Sequence, residues 1–504
     1  MRPLMKTKLN SLQRLYKIVD GNNNPRKGEV MAKRMILVFL SIVFLVACSA
    51  EKEKPVDLKQ DRLLFLDYGY SDTRAFYLKQ KTEPYESTLW NITKELMEAS
   101  PEEGTAVFAR TFYTKASQNH LMKLVSYQTT PGKIDSHAMS YSIDNGNSYY
   151  SFAVMNTKSS AMGRTYRRYW QTQIVDPEKD KMIVIFLEGL LPNDNPSEGM
   201  SNWTLWYGIT TDGGKTFETL EQIIKTGDIY GPEYPVDGVY TGKNSMAVGE
   251  ITCLPIKLQR QRGSGNGRIL VPVQISVLNE HGELYNPGGS FGYLYCAVLI
   301  GTWNQEGKLD WDISQPIVAD PNKTPIGVME PTIAEMPSGE ILMVMRGGNG
   351  GSKDEKYALD CFKWYSYSED GGYTWTPPKP WMCDDNTVFY SPSSCSQLLE
   401  HSNGKYYWIG IVSNTNPQND YPGWPLVIGE VNPKDFRLIR DSVTVIDIKR
   451  PEQSSSVTYT NFFAREDRVS HDILVYCTPM FEQGRSDNPS DLTAHTYVYT
   501  VNIK

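Results

Sequence analysis

The chain has 504 residues, of which 22% are charged and 12% aromatic, and its formal net charge is −7. A chain of this length can bury a large core, and the negative charge argues against nucleic acid as the main partner. The 31 tyrosines, 11 tryptophans and 39 glycines are typical of an all-β protein with many turns.

The first 47 residues are not expected to belong to the folded protein. Residues 1–30 are polar and basic and precede Met31, a possible initiator, so they are an extension or a mis-assigned start. Residues 31–47 carry two basic residues and then an apolar run that is too short to cross a bilayer as a helix. This pattern is typical of a secretory signal peptide.

The signal ends in Leu-Val-Ala-Cys, which resembles a lipobox. The resemblance implies a bacterial lipoprotein in which Cys48 carries the lipid, with an uncleaved signal anchor as the alternative. The serine after Cys48 lacks the aspartate that retains lipoproteins at the inner membrane, which favours the outer membrane. Residues 48–61 are polar, as expected of a tether, and residues 62–504 are expected to form the catalytic domain.

The remaining cysteines are not spaced as metal ligands. None belongs to a CxxC pair, so zinc is not expected and no cofactor is predicted, although calcium stays open. Apolar neighbours of Cys296 and Cys477 favour buried free thiols over disulfides. These cysteines are Cys253, Cys296, Cys361, Cys383, Cys395 and Cys477.

The predicted elements begin with a strand at residues 62–67 and one helix at residues 86–99. After residue 100, six hairpins follow, each with a strand, a turn and an apolar second strand. Apolar runs such as Met182–Phe186 and Ile341–Met345 favour inner strands that are buried on both faces. The hairpins span residues 107–127, 170–188, 250–274, 330–346, 391–414 and 459–478.

The spacing of the hairpins indicates a repeat architecture. Their starts recur at intervals of roughly 60–80 residues, the length of a four-stranded blade with its loops. Six hairpins predict an all-β, six-bladed β-propeller. The strand at residues 62–67 either closes the ring against the C-terminal strand at residues 496–503 or adds a seventh blade.

Three segments share the spelling Ser/Thr-x-Asp-x-Gly-x-Ser/Thr-aromatic. Aspartate and hydroxyl side chains hydrogen-bond nearby backbone, glycine supplies a positive φ, and the aromatic residue packs beneath the hairpin. The spelling resembles the Asp box (BNR repeat) of sialidase-like β-propellers, a superfamily of carbohydrate-active enzymes. The resemblance implies a structural role on the rim of the blades, away from the catalytic face. The segments are Ser142–Tyr149, Thr210–Phe217 and Ser368–Trp375.

The resemblance to sialidases extends to candidate site residues. It implies Arg110 and Arg346 as arginines that bind the substrate carboxylate, Asp135 as the acid/base, and Tyr459 as a nucleophile activated by Glu330. A neutral tyrosine avoids repulsion from the carboxylate of a sialic acid, and arginines bind carboxylates in bidentate pairs. The sequence thus resembles a retaining exo-glycosidase that acts on acidic oligo- or polysaccharides.

One part of the sialidase pattern is missing. A third arginine is expected roughly thirty residues before the tyrosine, yet residues 420–430 contain none. Arginines near the start of the second hairpin, with a tyrosine among them, are candidates to replace it. They are Arg164, Tyr166, Arg167 and Arg168.

Two histidines indicate a different chemistry. His120 and His137 bracket the first blade hairpin, and His137 lies beside Asp135. Propeller-fold polysaccharide lyases, including ulvan lyases, use histidine or tyrosine with arginine to eliminate across a uronate. A lyase of this kind is the first alternative to the glycosidase, and a non-catalytic glycan-binding propeller is the second.

Overall fold

In a computed structural model of the chain, six antiparallel sheets are arranged as a six-bladed β-propeller, which confirms the predicted fold class. The structure describes residues 90–503 except 162–163, 262–264, 290, 351–358, 414 and 487, together with four two-residue strands between residues 66 and 86. The predicted signal peptide, Cys48 and the tether lie outside the described residues. No helix in the described part of the chain is long and apolar enough to cross a membrane.

Blades 1 to 3 follow the chain order and pair antiparallel within each sheet. Blade 1 contains Ala106–Tyr113, Leu121–Gln128, Ser136–Ser142 and Tyr149–Asn156, with Leu66–Asp67 and Arg74–Ala75 at its outer edge. Blade 2 contains Lys158–Ala161, Arg164–Asp176, Lys181–Leu190, Trp203–Thr210 and Thr219–Gln222. Blade 3 contains Met246–Ala247, Ile256–Lys257, Ile269–Ser276, Leu294–Trp303 and Leu309–Ile313.

Blades 4 to 6 complete the ring, and the helical elements are short. Blade 4 contains Met329–Glu335, Ile341–Arg346, Lys363–Ser368 and Lys379–Pro380. Blade 5 contains Gln397–Glu400, Tyr406–Ile411, Leu426–Asn432, Arg437–Leu438 and Thr444–Asp447. Blade 6 contains Phe462–Glu466, Ile473–Cys477, Thr496–Ile503, Trp90–Glu98, Gln80–Lys81 and Tyr85–Glu86. The helical turns include Pro196–Glu198, Gly199–Asn202, Arg440–Ser442 and Pro489–Leu492.

The ring closes in blade 6, because its fourth strand comes from the chain before blade 1. Trp90–Glu98 pairs antiparallel with the C-terminal strand Thr496–Ile503. The helix predicted for residues 86–99 is therefore wrong. Trp90 and Ile92 are buried in a core that blades 5 and 6 share, and this distant pairing outweighs the local helical pattern.

The described end of the strand expected at residues 62–67 takes a third position that the sequence did not suggest. Leu66 and Asp67 pair with Met155 and Val154 in the outer strand of blade 1. These two residues therefore neither close the ring nor belong to a seventh blade, and residues 62–65 lie outside the described residues.

The hydrophobic core lies between neighbouring blades. One cluster joins blades 2 and 3, one joins blades 3 and 4, and one joins blades 4 and 5. Each inner strand therefore has apolar neighbours on both faces, as the runs Met182–Phe186 and Ile341–Met345 predicted. The six cysteines in the described part of the chain are buried free thiols, which agrees with the expectation from sequence.

The three repeated segments form the same hydrogen-bonded turn between the third and fourth long strands of blades 1, 2 and 4. In blade 2, the Thr216 amide and hydroxyl donate to the two Asp212 carboxylate oxygens at 2.9 and 2.7 Å. The Gly214 amide donates to the Thr210 hydroxyl at 3.0 Å. Equivalent bonds recur in blades 1 and 4, so the shared spelling encodes one turn geometry.

Loss of the closing contacts is expected to destabilise the whole ring. Ile92→Ala should lower the free energy of unfolding by about 2–4 kcal/mol, because Ile92 is fully buried between blades 5 and 6. Urea-induced unfolding measures this. Asn91→Ala, at an exposed position of the same strand, is the control and should change the free energy of unfolding little.

Candidate functional site

A pocket of 180 Å³ lies where loops of blades 3 to 6 meet. Several of its residues directly precede or begin the first long strands of these blades, so the propeller brings distant parts of the chain together. The lining residues are Glu250, Glu330, Arg346, Ser393, Ser394, Cys395, Asp420, Tyr421, Thr458, Thr460, Asn461, Phe481 and Arg485.

Glu330 and Arg346 form a buried ion pair in this pocket. The Arg346 Nη1 donates to Glu330 Oε1 at 2.5 Å, and its Nε donates to the Ser393 hydroxyl at 2.8 Å. The second carboxylate oxygen of Glu330 is buried without a hydrogen-bond partner. Arg346 thus holds one oxygen of Glu330 and leaves the other unsatisfied.

The backbone at Glu330 adopts an unusual conformation. Its φ is 47°, in the left-handed region that non-glycine residues rarely occupy, and the strand register shifts between Met329 and Thr332. The Glu330 amide donates to Gln274 Oε1 at 2.9 Å, which anchors this conformation. Strained residues of this kind cluster at functional sites.

Glu250 is the second carboxylate of the pocket. Burial and the negative charge of Glu330 raise the pKa of Glu250 to about 7, although Arg346 and the Ile251 amide oppose the shift. Gly249 allows the chain before Glu250 to lie close to Glu330, because a Cβ at this position would lie 2.8 Å from Glu330 Cγ and 2.6 Å from Gln274 Oε1. Glu250 therefore gains or loses its proton near neutral pH, next to the Glu330 oxygen that has no hydrogen-bond partner.

In blade 1, Arg110 lies near Glu250 and His137 lies near Arg110, but neither is among the residues that line the pocket. The Arg110 Nη2 donates to the Trp170 and Gln171 carbonyls at 3.2 and 3.3 Å, and its Nε is buried without a partner. Burial lowers the pKa of Arg110 to about 10, partly offset by Glu250. Burial and Arg110 together lower the pKa of His137 to about 3, so His137 is neutral.

Two of the three candidate arginines of blade 2 form ion pairs. Arg167 donates to both carboxylate oxygens of Asp194 at 2.5 and 3.0 Å. Arg168 Nε donates to Glu188 at 2.7 Å. Arg164 is exposed and Tyr166 is partly buried, and neither lines the pocket. The structure thus does not place these residues where a third carboxylate-binding arginine was expected.

Asp135 and His120 also lie outside the pocket lining. Asp135 accepts hydrogen bonds from the Thr129 amide and hydroxyl, both at 2.8 Å, and so pins the turn before it. His120 bonds the Tyr141 hydroxyl at 2.7 Å, just before the second strand of blade 1. His137 pairs with Ser126 near the other end of that strand, so the two histidines do not converge on one site.

Tyr459 is turned into the protein. Its side chain is fully buried, and its hydroxyl lies 3.3 Å from both the Ile448 carbonyl and Gln453 Oε1. Burial raises its pKa well above the usual value. The neighbours Thr458 and Thr460 line the pocket instead, because side chains alternate along an extended segment.

Sequence reasoning missed Glu250 and Arg485. The sequence predicts Glu250 only as the start of the third hairpin, yet this is the place that Glu330 takes in the fourth hairpin. That equivalence was the available signal. Arg485 lies in the loop after the second strand of blade 6, and nothing local in the sequence marks it.

A second, larger hollow of 510 Å³ lies beside the turn of the first repeat. Its polar groups are largely bonded to each other, since Asn145 Nδ2 donates to both carboxylate oxygens of Asp467 at 3.1 and 3.2 Å. Within the described ranges, no group of three or more His, Cys, Asp and Glu side chains is placed to hold a metal ion.

Comparisons with known proteins identify relatives of the fold only. No family model and no curated protein matches the sequence. A protein of unknown function from Dyadobacter fermentans is 13% identical over 82% of this chain and 99% of that chain, with a TM-score of 0.50. The NanB sialidase of Streptococcus pneumoniae is 14% identical over 80% of this chain and 70% of that chain, with a TM-score of 0.49.

A third similar structure is the GH93 α-L-arabinofuranosidase of Fusarium graminearum. It is 12% identical over 83% of this chain and 97% of that chain, with a TM-score of 0.43. At these identities the similarity concerns the propeller and not the substrate.

The raised pKa of Glu250 makes a prediction about stability. Because the folded state binds this proton more tightly than the unfolded state, the ionised carboxylate costs stability as pH rises from about 4 to about 7. Glu250→Gln should therefore match the unaltered protein near pH 4 and exceed its free energy of unfolding by roughly 1–3 kcal/mol at pH 8.

Urea-induced unfolding at both pH values measures this difference. Glu103→Gln, at an exposed turn, is the control and should show no such pH dependence. An equal effect of Glu250→Gln at both pH values would contradict the assignment of the raised pKa to Glu250.

Proposed function

We propose that the protein is a glycoside hydrolase in which Glu250 and Glu330 are the catalytic pair. The observation that carries the proposal is the difference between the two carboxyl groups in one pocket. Glu250 has a pKa of about 7, whereas Glu330 accepts a charge-assisted hydrogen bond from Arg346 that stabilises its ionised form. An acid and a carboxylate side by side are what glycoside hydrolysis requires.

Each carboxyl group has one role in this proposal. Protonated Glu250 donates its proton to the leaving glycosidic oxygen, which lowers the barrier to bond cleavage. Ionised Glu330 faces the positive charge that develops at the anomeric carbon and stabilises it or attacks it. Arg346 is a positioning residue, because its ion pair fixes the Glu330 carboxylate.

The size of the pocket supports action on a single sugar residue at a chain end. Its 180 Å³ is less than the roughly 300–1,000 Å³ of typical ligand sites. A polymer that crosses the face of the propeller would need a longer open groove. We therefore infer exo rather than endo cleavage.

This proposal keeps the glycosidase hypothesis and changes its residues. The Tyr459 hydroxyl does not reach the pocket, and Asp135 caps a turn, so neither is assigned a chemical step. The lyase alternative rests on His137 and His120 with a tyrosine and the arginines, whereas His137 is a neutral, buried side chain that is not among the lining residues. No observation on the two histidines favours it over the acid pair.

We also propose that the sugar carries an anionic group. The exposed Arg485 lies at the pocket, with its guanidinium 4.8 Å from the Phe481 ring centre and hydrogen-bonded to the Tyr421 hydroxyl. Among the described residues, no carboxylate lies within ion-pair distance of it. Its charge is thus available to a carboxylate on the substrate, in place of the missing arginine of residues 420–430.

Substitution of the two glutamates should separate their roles. Glu250→Gln should lower kcat on natural glycosides by about 10²–10⁴-fold, but only slightly on dinitrophenyl glycosides, whose leaving group needs no proton. Glu330→Gln should abolish both activities. The rates are measured on a panel of aryl glycosides of neutral and acidic sugars.

Tyr459→Phe is the matched control, since it removes a hydroxyl that the structure places outside the pocket. It should retain the rate within a few-fold. Loss of all activity in this variant would restore the tyrosine-nucleophile mechanism, and an unsaturated product that absorbs ultraviolet light would establish the lyase. Binding of glycans without turnover would leave a glycan-binding propeller.

The role of Arg485 is tested with paired substrates. Arg485→Gln should lower kcat/KM for a glycoside with a carboxylate by roughly 10–100-fold and leave that for the neutral analogue unchanged, because one charge-assisted pair is lost. Arg437→Gln, in the outer part of blade 5, is the control. Equal losses of kcat/KM on both substrates would show that Arg485 does not recognise the carboxylate of the substrate.

Export completes the proposal. We propose that Cys48 is lipidated and tethers the propeller to the outer membrane, on the basis of the signal-like residues 31–47. Metabolic labelling with a radioactive fatty acid, compared between the full chain and Cys48→Ala, tests this. Equal labelling of both proteins would reject Cys48 as the anchor.

A further inference from the structure

Lys363 is a fully buried lysine beside the pocket. It lies in the third strand of blade 4, where its backbone pairs with that of Arg346. Its Nζ donates to the Ser394 carbonyl, and to the Pro392 carbonyl and the Ser394 hydroxyl at 3.4 Å each. Within the described part of the chain, no carboxylate lies within ion-pair distance of this ammonium group.

The surroundings of Lys363 fit a charged side chain. An ammonium has three donors and no acceptor, and the site offers three oxygen acceptors. Burial lowers the pKa of Lys363 to about 8, which still leaves the group protonated at neutral pH. A buried charge without a counter-ion costs stability. If Lys363 had only a structural role, a neutral side chain would serve better.

The position of Lys363 links it to the acid pair. The segment that it binds includes Ser393, whose hydroxyl accepts from Arg346, and Arg346 holds Glu330. Ser394 and Cys395 of the same segment line the pocket. Lys363 therefore lies behind the pocket wall and fixes it from the protein interior.

The titratable groups around Lys363 come from several blades. Arg346, Cys361, Cys395 and Glu330 all act on its charge. Glu330 in turn faces Glu250, and Asp420 acts on Arg346 from blade 5. The thiols of Cys253, Cys296 and Cys395 also face Glu330, and burial raises their pKa values so that they stay uncharged. Lys363 and Arg346 are thus the cations that act on Glu330 from the wall side.

We propose that Lys363 is a positioning residue whose positive charge stabilises the carboxylate of Glu330, so that Glu250 is the proton donor of the pair. The ammonium acts from behind the wall, next to Arg346 on the neighbouring strand, in a region of low dielectric where its electric field is strong. The consequence for catalysis rests on the proposed function. The proton affinity of Glu330, by contrast, is a property of the free protein and can be measured without substrate.

The test is an infrared titration of the full chain. All variants are made in a Glu250→Gln background, because Glu330 also shifts the pKa of Glu250. The band of the protonated carboxyl group is followed with pH, and the spectrum of the corresponding Glu330→Gln variant is subtracted to isolate Glu330. In Lys363→Gln, the Glu330 band should appear about one pH unit higher than in the unaltered protein, which is roughly a tenfold gain in proton affinity. Lys363→Arg keeps the charge and should titrate as the unaltered protein does.

Lys257→Gln is the matched control. Lys257 is also buried, but it pairs with Asp176 at 2.7 Å and Glu178 at 3.1 Å, away from the pocket lining. This variant should lose stability without any shift of the Glu330 band. If Lys363→Gln does not fold, Lys363→Met provides a second neutral side chain of similar length.

An unshifted Glu330 band in the neutral variants of Lys363 would overturn the proposal, as would an equal shift in Lys257→Gln. Because the titration needs no substrate, its result is independent of whether the protein hydrolyses glycosides. A shifted band in a protein that cleaves no glycoside would uphold the role of Lys363 and reject the proposed function.

Discussion

The whole architecture depends on the pairing of the first long strand with the last one. Trp90–Glu98 pairs with Thr496–Ile503. The C-terminal part of the chain therefore supplies the first three strands of blade 6, and the N-terminal part supplies the fourth. Lys94 of this strand also donates to Asp447 of blade 5 at 2.8 Å, and the Tyr499 hydroxyl donates to the same carboxylate at 2.5 Å. A ring of blades buries both faces of every sheet only when it is closed, so this junction stabilises all six blades.

Closure of the ring also decides what the site is made of. The blades surround one axis, and loops and strand ends of blades 3 to 6 face a common space. Glu250 of blade 3, Glu330 of blade 4, Ser393 of blade 5 and Thr460 of blade 6 reach one pocket for this reason. Buried charges that would be costly in isolation are tolerated there, because Arg346 offsets the charge of Glu330 and the carbonyls around Lys363 solvate its ammonium.

Parts of the site were visible in the sequence for different reasons. Glu330 and Arg346 belong to one hairpin, and the register of its two strands brings them together, so local reasoning found the pair. Glu250 comes from another blade, and its raised pKa arises only from burial beside Glu330. Tyr459 is a residue that local reasoning placed wrongly. Side chains alternate along an extended chain, so its neighbours line the pocket whereas Tyr459 itself faces the core.

The sequence by itself determined the repeat. Apolar inner strands, turn residues and a shared Asp-Gly spelling are local features, and each encodes a hairpin or a turn that forms the same way in every blade that carries it. Only the tertiary structure decided how the ring closes and which charged side chains meet at its centre. Strand partners and pKa values depend on neighbours that are distant in sequence, so residues 90–98 became a strand and Glu250 became an acid only in the folded propeller.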